Sequence, residues 1–407
     1  MNPAVVSCRS CEGAALEVFL DLGTTPLADR LVEDRDAEEP TFPLEVAFCT
    51  DCSLVQILET VPPSVLFQED YPYYSSFSPA LLRHTRENVA ALITERRLGP
   101  DSLVLEPASN DGYLLANYVE AGIPVLGIDP AEGPASEAQR KGVRTINTFL
   151  TRDLAQSLQD DGVSADVIHA NNVLAHVADT NGFVAALEIL LADDGIVVIE
   201  VPYVRELINN CEFDTIYHEH LCYFSVTSLS HLLERHGLRI RDLREVSIHG
   251  GSLRLFVGRG GLQGDRVRSA LQSEFNHGLQ EFSFYRNFQE DVERLRDELV
   301  ALLTSLKGAG HSIAAYGASA KGSTLLNYTG IGLDLLDFVV DRNTHKQGKF
   351  MPGQHIPIHG PEHVLSNRPD FLLLLAWNFA EEIMTQQAEY KELGGRFILP
   401  VPSPAIV

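Results

Sequence analysis

The sequence predicts an α/β protein in which a small metal-stapled module precedes two halves built from alternating strands and helices. Three observations lead there. Two Cys-x-x-Cys pairs stand near the start, strand-sized apolar runs alternate with helical segments from about residue 78 to residue 200, and a long helical stretch after Gly260 opens a second alternation. A chain of 407 residues also exceeds what one hydrophobic core usually organises, so several domains are expected.

Cys8-Arg-Ser-Cys11 and Cys49-Thr-Asp-Cys52 form two knuckles separated by one long loop. Four thiolates at that spacing can close a tetrahedral zinc site, because each knuckle supplies two ligands from one tight turn. So short a segment buries little apolar surface, and the metal is expected to supply the missing stability. A redox pair would need a βαβ setting that neither knuckle has, and disulfides are disfavoured in the cytosol. Four sulfur ligands leave no open position, so the zinc is read as structural. Cys211 and Cys222 stand apart and read as packed side chains.

Ser78 to Arg96 carries Leu81, Leu82, Val89, Leu92 and Ile93 at helical spacing. Leu103 to Glu106 is a short buried strand, followed by the turn Pro107-Ala-Ser-Asn-Asp-Gly112 and a helix through Val119. Val125 to Asp129 is a second strand ending in an acid, with a helix near Ala135 to Lys141. Asp166 to Ala170 and Gly195 to Glu200 are further strands, the former ending at Asn171-Asn172. This alternation indicates a doubly wound, mainly parallel sheet, which binds ligands at the carboxyl ends of its strands. Glu106, Ser109, Asn110, Asp111, Gly112, Asp129, Pro130, Asn171 and Asn172 all fall there. An acid closing the second strand suits two ribose hydroxyls. S-adenosylmethionine (SAM), with an unphosphorylated ribose and a charged amino-acid arm, fits an acidic loop. A dinucleotide would favour GxGxxG, which is missing. A capped turn with a strand-end acid and no ligand is the other reading of the same residues.

Further on, roughly Arg266 to Lys307 reads as helical and leads into a strand at Ser312 to Tyr316, with later strands at Leu336 to Val340 and Phe371 to Ala376. Gly317-Ala-Ser-Ala-Lys-Gly-Ser-Thr324 has its lysine ahead of the second glycine, so the register of an ATP-binding P-loop is wrong. Backbone N–H groups at that turn, with Lys321, can still hold a diphosphate.

The formal net charge is −25, the mark of a solvated acidic surface and an argument against broad nucleic-acid binding. No run reaches the roughly 18 apolar residues of a membrane span, and the N-terminus lacks a signal peptide's pattern. A cytoplasmic monomer is the expectation.

Eight motifs in order then carry a resemblance. They are Tyr71-Pro-Tyr-Tyr-Ser-Ser76, Ser109-Asn-Asp-Gly112, Asn171-Asn-Val-Leu-Ala-His176, Tyr217-His-Glu-His220, His249-Gly-Gly251, Tyr316 to Gly322, Asp341 to Lys346 and Ala376-Trp-Asn378. With the zinc knuckles ahead of them, the chain resembles the zinc-containing sugar C-methyltransferases, and more narrowly the nucleotide-hexose C-3 methyltransferases of antibiotic deoxysugar pathways. The resemblance implies an N-terminal zinc module (1–68), a central Rossmann-like SAM domain (69–264) and a C-terminal Rossmann-like domain (265–407) that helps hold the nucleotide sugar. It implies a TDP-sugar ahead of a GDP-sugar as substrate. Lys321 and Lys346 are then expected near phosphate, and Trp377 and Asn378 near base or sugar. Asn378 with Glu381 also reads as a capping box.

Methyl transfer to carbon needs a carbon nucleophile. In a 4-keto sugar the C-3 proton is alpha to a carbonyl, so a positioned base can form an enolate, and the enolate oxygen needs stabilising. The resemblance puts the active centre at Tyr217, Glu219 and His220. His220 is read as the base, since histidine titrates near working pH. Glu219 is read as orienting the substrate or tuning the histidine, and Tyr71, His176 and Tyr217 as groups that contact the keto oxygen, hold the sugar or relay protons. His218, Tyr73 and Tyr74 read as packing, and His249 as a turn histidine or a substrate contact. An O- or N-methyltransferase would need no enolate, and a zinc-ribbon protein could bind nucleotides without turnover.

Overall fold

The architecture was analysed in a computed structural model that describes residues 6–67 and 73–407; Tyr71 and the side chain of His249 lie outside that description. Among the described residues, seventeen strands fall into three sheets. In chain order they are β1 (Leu16–Pro26), β2 (Thr41–Cys49), β3 (Val55–Ile57), β4 (Val104–Pro107), β5 (Val125–Ile128), β6 (Thr145–Ile146), β7 (Ala165–Asn171), β8 (Leu191–Pro202), β9 (Cys222–Tyr223), β10 (Leu238–Val246), β11 (Ser252–Arg259), β12 (Ile313–Tyr316), β13 (Val339–Val340), β14 (Ile358–His359), β15 (Phe371–Leu374), β16 (Arg396–Leu399) and β17 (Ala405–Ile406).

The segment between the knuckles is a hairpin of β1 and β2 rather than a loop, which corrects the sequence expectation. Its inner face buries Phe19, Leu20, Leu44, Val46 and Phe48. They have something to pack on, since Phe48 stacks on Tyr285 at 4.7 Å and Phe19 reaches Tyr285 and Phe288 at 5.2 and 6.2 Å. The module thus borrows a core from helices 282–285 and 288–308, which sequence spacing could not reveal. Its sheet, ordered β1-β2-β3-β9, also takes its last strand from far along the chain.

The central sheet runs β10-β11-β8-β7-β4-β5-β6. β4 to β8 are parallel, and β11 is inserted antiparallel between β8 and β10. Val104, Leu105, Val167 and Ile168 are fully buried, as expected where helices cover both faces of parallel strands. Helix 79–96 begins where Ser78 caps it, its hydroxyl accepting from Leu81 N–H with Pro79 at the first position, and stops at left-handed Arg97. The strand order reverses at β4 and β7, so the ligand crevice opens at their carboxyl ends.

The third sheet is ordered β14-β13-β12-β15-β16-β17, parallel except for β17, and reverses between β12 and β15. The stretch expected to be helical from 266 to 307 is three helices, 265–277, 282–285 and 288–308. The first ends at Gly278, whose φ of 76° suits a residue without a side chain. No helix among the described residues is long and apolar enough to cross a membrane.

Candidate functional site

Four thiols come together at the N-terminus. The sulfurs of Cys8, Cys11, Cys49 and Cys52 all lie within 4.8 Å of one another, and Cys8–Cys52 and Cys11–Cys49 are 3.5 Å apart. Zn–S bonds of about 2.3 Å give tetrahedral S–S edges of about 3.8 Å, so this donor set fits zinc. The knuckles share one backbone device: the residue after each second cysteine, Glu12 or Ser53, is left-handed, with φ of 64° and 60°. The cluster is already polarised, since the hydrogen bond from Cys8 draws the Cys52 thiol down to about 5 while burial pushes Cys49 up to about 11. Cys211 and Cys222 are buried singly, as packing requires.

At the carboxyl ends of β4, β5 and β7 the expected residues converge. Asp129 accepts from the backbone N–H of Asn110 at 2.7 Å and of Ala131 at 2.9 Å, around the turn at Pro130. Burial pushes its carboxyl up to about 6 in spite of those two bonds. Burial likewise pushes Glu106 well above the usual carboxylate range, with the Asp129 and Asp111 charges adding to it. Gly112 has φ 74°, and a side chain there would meet Val143 and Ala138 at 3.0 to 3.3 Å. Ser109, Glu106, Asn171 and Asn172 each keep a buried oxygen with no hydrogen-bond partner. Unsatisfied buried acceptors gathered at the ends of these strands are what a polar, cationic ligand would complete.

Asp111 keeps such an oxygen too, but is also tied to its neighbours. One oxygen takes the Ser76 hydroxyl and the Lys141 ammonium, while Asn110 accepts from Ser75 N–H at 2.9 Å and donates to the Tyr73 carbonyl at 3.1 Å. The two side chains therefore fasten segment 73–76 to the loop.

The residues of the Tyr217 motif separate by face. His218 is buried and bonds the Pro43 carbonyl at 3.1 Å beside Phe42, a packed histidine as expected. On the other face His220 Nδ1 lies 2.8 Å from the Thr215 carbonyl. A carbonyl can only accept, so Nδ1 carries the proton and Nε2 of the neutral ring is the acceptor for the Tyr217 hydroxyl, 2.9 Å away. The His176 ring meets His220 at 4.6 Å, and burial pushes its imidazole down to about 4, so it is neutral at pH 7. Glu219 is buried, and burial with the Asp29 charge pushes its carboxyl well up.

The reversal point of the third sheet brings Lys321 and Trp377 together, with the ammonium 4.5 Å from the ring centroid. Burial pushes Lys321 down despite Asp214 and Glu212 beside it. The indole N–H is donated to Asp214 at 2.6 Å. Lys346 holds the Ala318 carbonyl at 2.7 Å and stands 3.8 Å from Asp29. Asn378 caps nothing: a short 3-10 turn, Trp377–Phe379, precedes the next helix, whose N-cap position is Phe379, which corrects the capping-box reading.

Sequence reading missed the buried set of Glu200, Arg254 and His84. Glu200 accepts from Arg254 at 2.8 Å and pairs with His84 at 2.8 Å, and against the upward push of burial these partners hold its carboxyl below the usual range. It ties helix 79–96 to β8 and β11. A charged residue closing strand β8 was the available signal, but its partners lie 54 and 116 residues away.

Three family models match consecutive stretches: a "Putative zinc binding domain" over residues 8–67, a methyltransferase domain over 81–243 and a C-methyltransferase C-terminal domain over 247–402. C-methyltransferase NovU of Streptomyces niveus is 37% identical over 405 residues, covering 98% of this chain and 96% of that one. Among solved structures, magnesium protoporphyrin IX methyltransferase of Synechocystis PCC 6803 with bound SAM is 20% identical, covering 44% of this chain and 79% of its own, with a TM-score of 0.35. An S-adenosylmethionine-dependent methyltransferase from Clostridium acetobutylicum ATCC 824 is 15% identical, covering 44% and 92%, with a TM-score of 0.37.

Proposed function

We propose the acceptor and the base from one premise: the chain belongs to the zinc-containing, SAM-dependent C-methyltransferases. The acceptor is C-3 of an NDP-4-keto-deoxyhexose, with TDP ahead of GDP, and His220 is the base, acting through the Tyr217 hydroxyl. The observation that carries this reading is the chain Thr215 carbonyl, His220 Nδ1–H, His220 Nε2, Tyr217 hydroxyl. It leaves one imidazole nitrogen basic and points it at a phenol, which suits proton removal alpha to a ketone. The likeness of the eight motifs supplies the sugar.

When bound, SAM supplies a methyl group on a sulfonium. Asp129 would accept the ribose hydroxyls with the lone pairs its backbone partners leave free, and Glu106 with Asn171 would hold the amino-acid arm. Tyr217 takes the C-3 proton as it passes its own to His220 Nε2, and the C–H electron pair moves into the enolate. Neutral His176 donates to the developing oxygen, and Glu219, buried beside Asp29 and Lys346, orients the sugar. Lys321 and the Gly317 turn face the diphosphate. The division 1–68, 69–264 and 265–407 assigns zinc, donor and nucleotide sugar to successive stretches.

The test is isotopic. With a TDP-4-keto sugar deuterated at C-3, methylated product is expected to have lost the deuterium to water, as read by mass spectrometry. Methyl gain with deuterium kept at the acceptor carbon would exclude the enolate.

Donor binding gives a second expectation. Burial pushes the Asp129 carboxyl up to about 6, and ribose hydroxyls bind the carboxylate better than the acid. SAM affinity therefore strengthens as pH rises through 6. Asp129→Asn, which turns an N–H donor toward a backbone N–H, is expected to weaken SAM binding by about 10- to 100-fold and flatten that rise. Calorimetry from pH 5 to 8 measures both, and an unchanged affinity would remove Asp129 from the donor site.

A further inference from the structure

We infer that Trp377 is a positioning residue for His220, acting from the C-terminal half through Asp214 and Thr215. The inference rests on the reading of His220 as the base.

The link is one tight turn. Thr215 N–H and hydroxyl both donate to the Glu212 carbonyl, at 3.0 and 2.7 Å, and Ile216 N–H donates to Phe213, so residues 212–216 move as a unit. Neighbouring residues of that turn serve opposite partners. The Asp214 carboxylate takes the Trp377 indole N–H at 2.6 Å, and the Thr215 carbonyl takes His220 Nδ1–H at 2.8 Å. The next carbonyl, Ile216, takes the Thr324 hydroxyl at 3.0 Å, from the helix Ala320–Thr329 that also carries Lys321. Lys321 lies over the indole at 4.5 Å and holds the ring against Asp214.

Asp214 is fully buried, and its other oxygen has no hydrogen-bond partner. The indole N–H is therefore its one side-chain hydrogen bond among the described residues. Without it this buried carboxylate keeps only the N–H groups of its own turn, Asp214 and Thr215, and the Lys321 charge, and the turn is drawn toward another donor. The Thr215 carbonyl moves with it, and that carbonyl holds the proton on Nδ1 and so leaves the lone pair on Nε2.

Trp377→Phe keeps an aromatic ring and removes only the donor. The expected result is a fall in kcat of about 10- to 100-fold, the scale of a small misplacement of a reacting group, with KM for the sugar nucleotide and SAM affinity within about twofold of wild type. Thr324→Val is expected to move kcat in the same direction. Asp214→Asn, whose amide oxygen can still accept from the indole, should retain more of kcat than Asp214→Leu. In a His220→Asn background Trp377→Phe should cost nothing further. A rise in KM with kcat unchanged would make Trp377 a substrate contact and overturn the inference. Additive losses in the double variant would overturn it too, even with His220 still the base. If His220→Asn alone kept full turnover, the base reading itself would fall, and this inference with it.

Discussion

His220→Asn is expected to lower kcat by about 10²- to 10⁴-fold while leaving SAM affinity unchanged. The substitution isolates chemistry from folding. The amide nitrogen of asparagine stands close to where Nδ1 stands and can still donate to the Thr215 carbonyl, so the bond that holds the segment survives. What is lost is Nε2, the atom facing the Tyr217 hydroxyl. Tyr217→Phe removes the other end of the same bond and should give a loss of similar order, and the two together should lose little more than either alone, because a relay fails once any link is missing. Single-turnover methylation at saturating SAM, with calorimetry as the control, decides it. Turnover kept within about twofold in His220→Asn would take His220 out of the role of base.

These expectations draw unequally on sequence and structure. The parallel strands are legible because strands buried on both faces are continuous apolar runs: Leu103 to Glu106 and Phe371 to Ala376 differ from β4 and β15 only at their ends. The cysteine cluster is legible because tight turns bring ligands together within three residues. The Thr215 carbonyl is invisible to any reading of residue types, since every residue has one and only the 3-10 turn aims it at Nδ1. The β1–β2 hairpin was missed for a related reason. Its apolar face looks too small to fold alone, and the aromatic partners at Tyr285 and Phe288 lie more than 200 residues away. The face assignments of His218 and His220 needed the backbone as well, as alternation alone would have put them on one side.

Removal of the zinc is expected to lower turnover by about 10²-fold, although no cysteine of the cluster belongs to the proposed chemistry. The route is structural. β3 follows the second knuckle by two residues and pairs with β9, Val55 opposite Tyr223 and Gln56 opposite Cys222, while Ile57 N–H bonds the Leu221 carbonyl at 3.0 Å. Leu221 in turn donates to Ala175 at 2.7 Å, next to His176. The chain just after His220 is therefore clamped between the zinc module and the segment that carries the other active-centre histidine. The knuckles are also tied to the central domain: Asn181 donates to the Arg9 and Ser10 carbonyls, Arg235 to the Ser10 hydroxyl, and His231 bonds the Cys52 carbonyl. Because the hairpin packs on Tyr285 and Phe288, loss of the metal should loosen the knuckles and β3 without unfolding the whole chain. Cys52→Ser, or chelation, should thus lower the melting temperature and kcat together, with SAM affinity falling far less, since the donor crevice lies at β4, β5 and β7. Metal content, melting temperature and the two kinetic constants measured on one preparation test this. Full turnover in zinc-free protein would show that the β3–β9 pairing holds without the metal, and that the clamp on His220 does not depend on it.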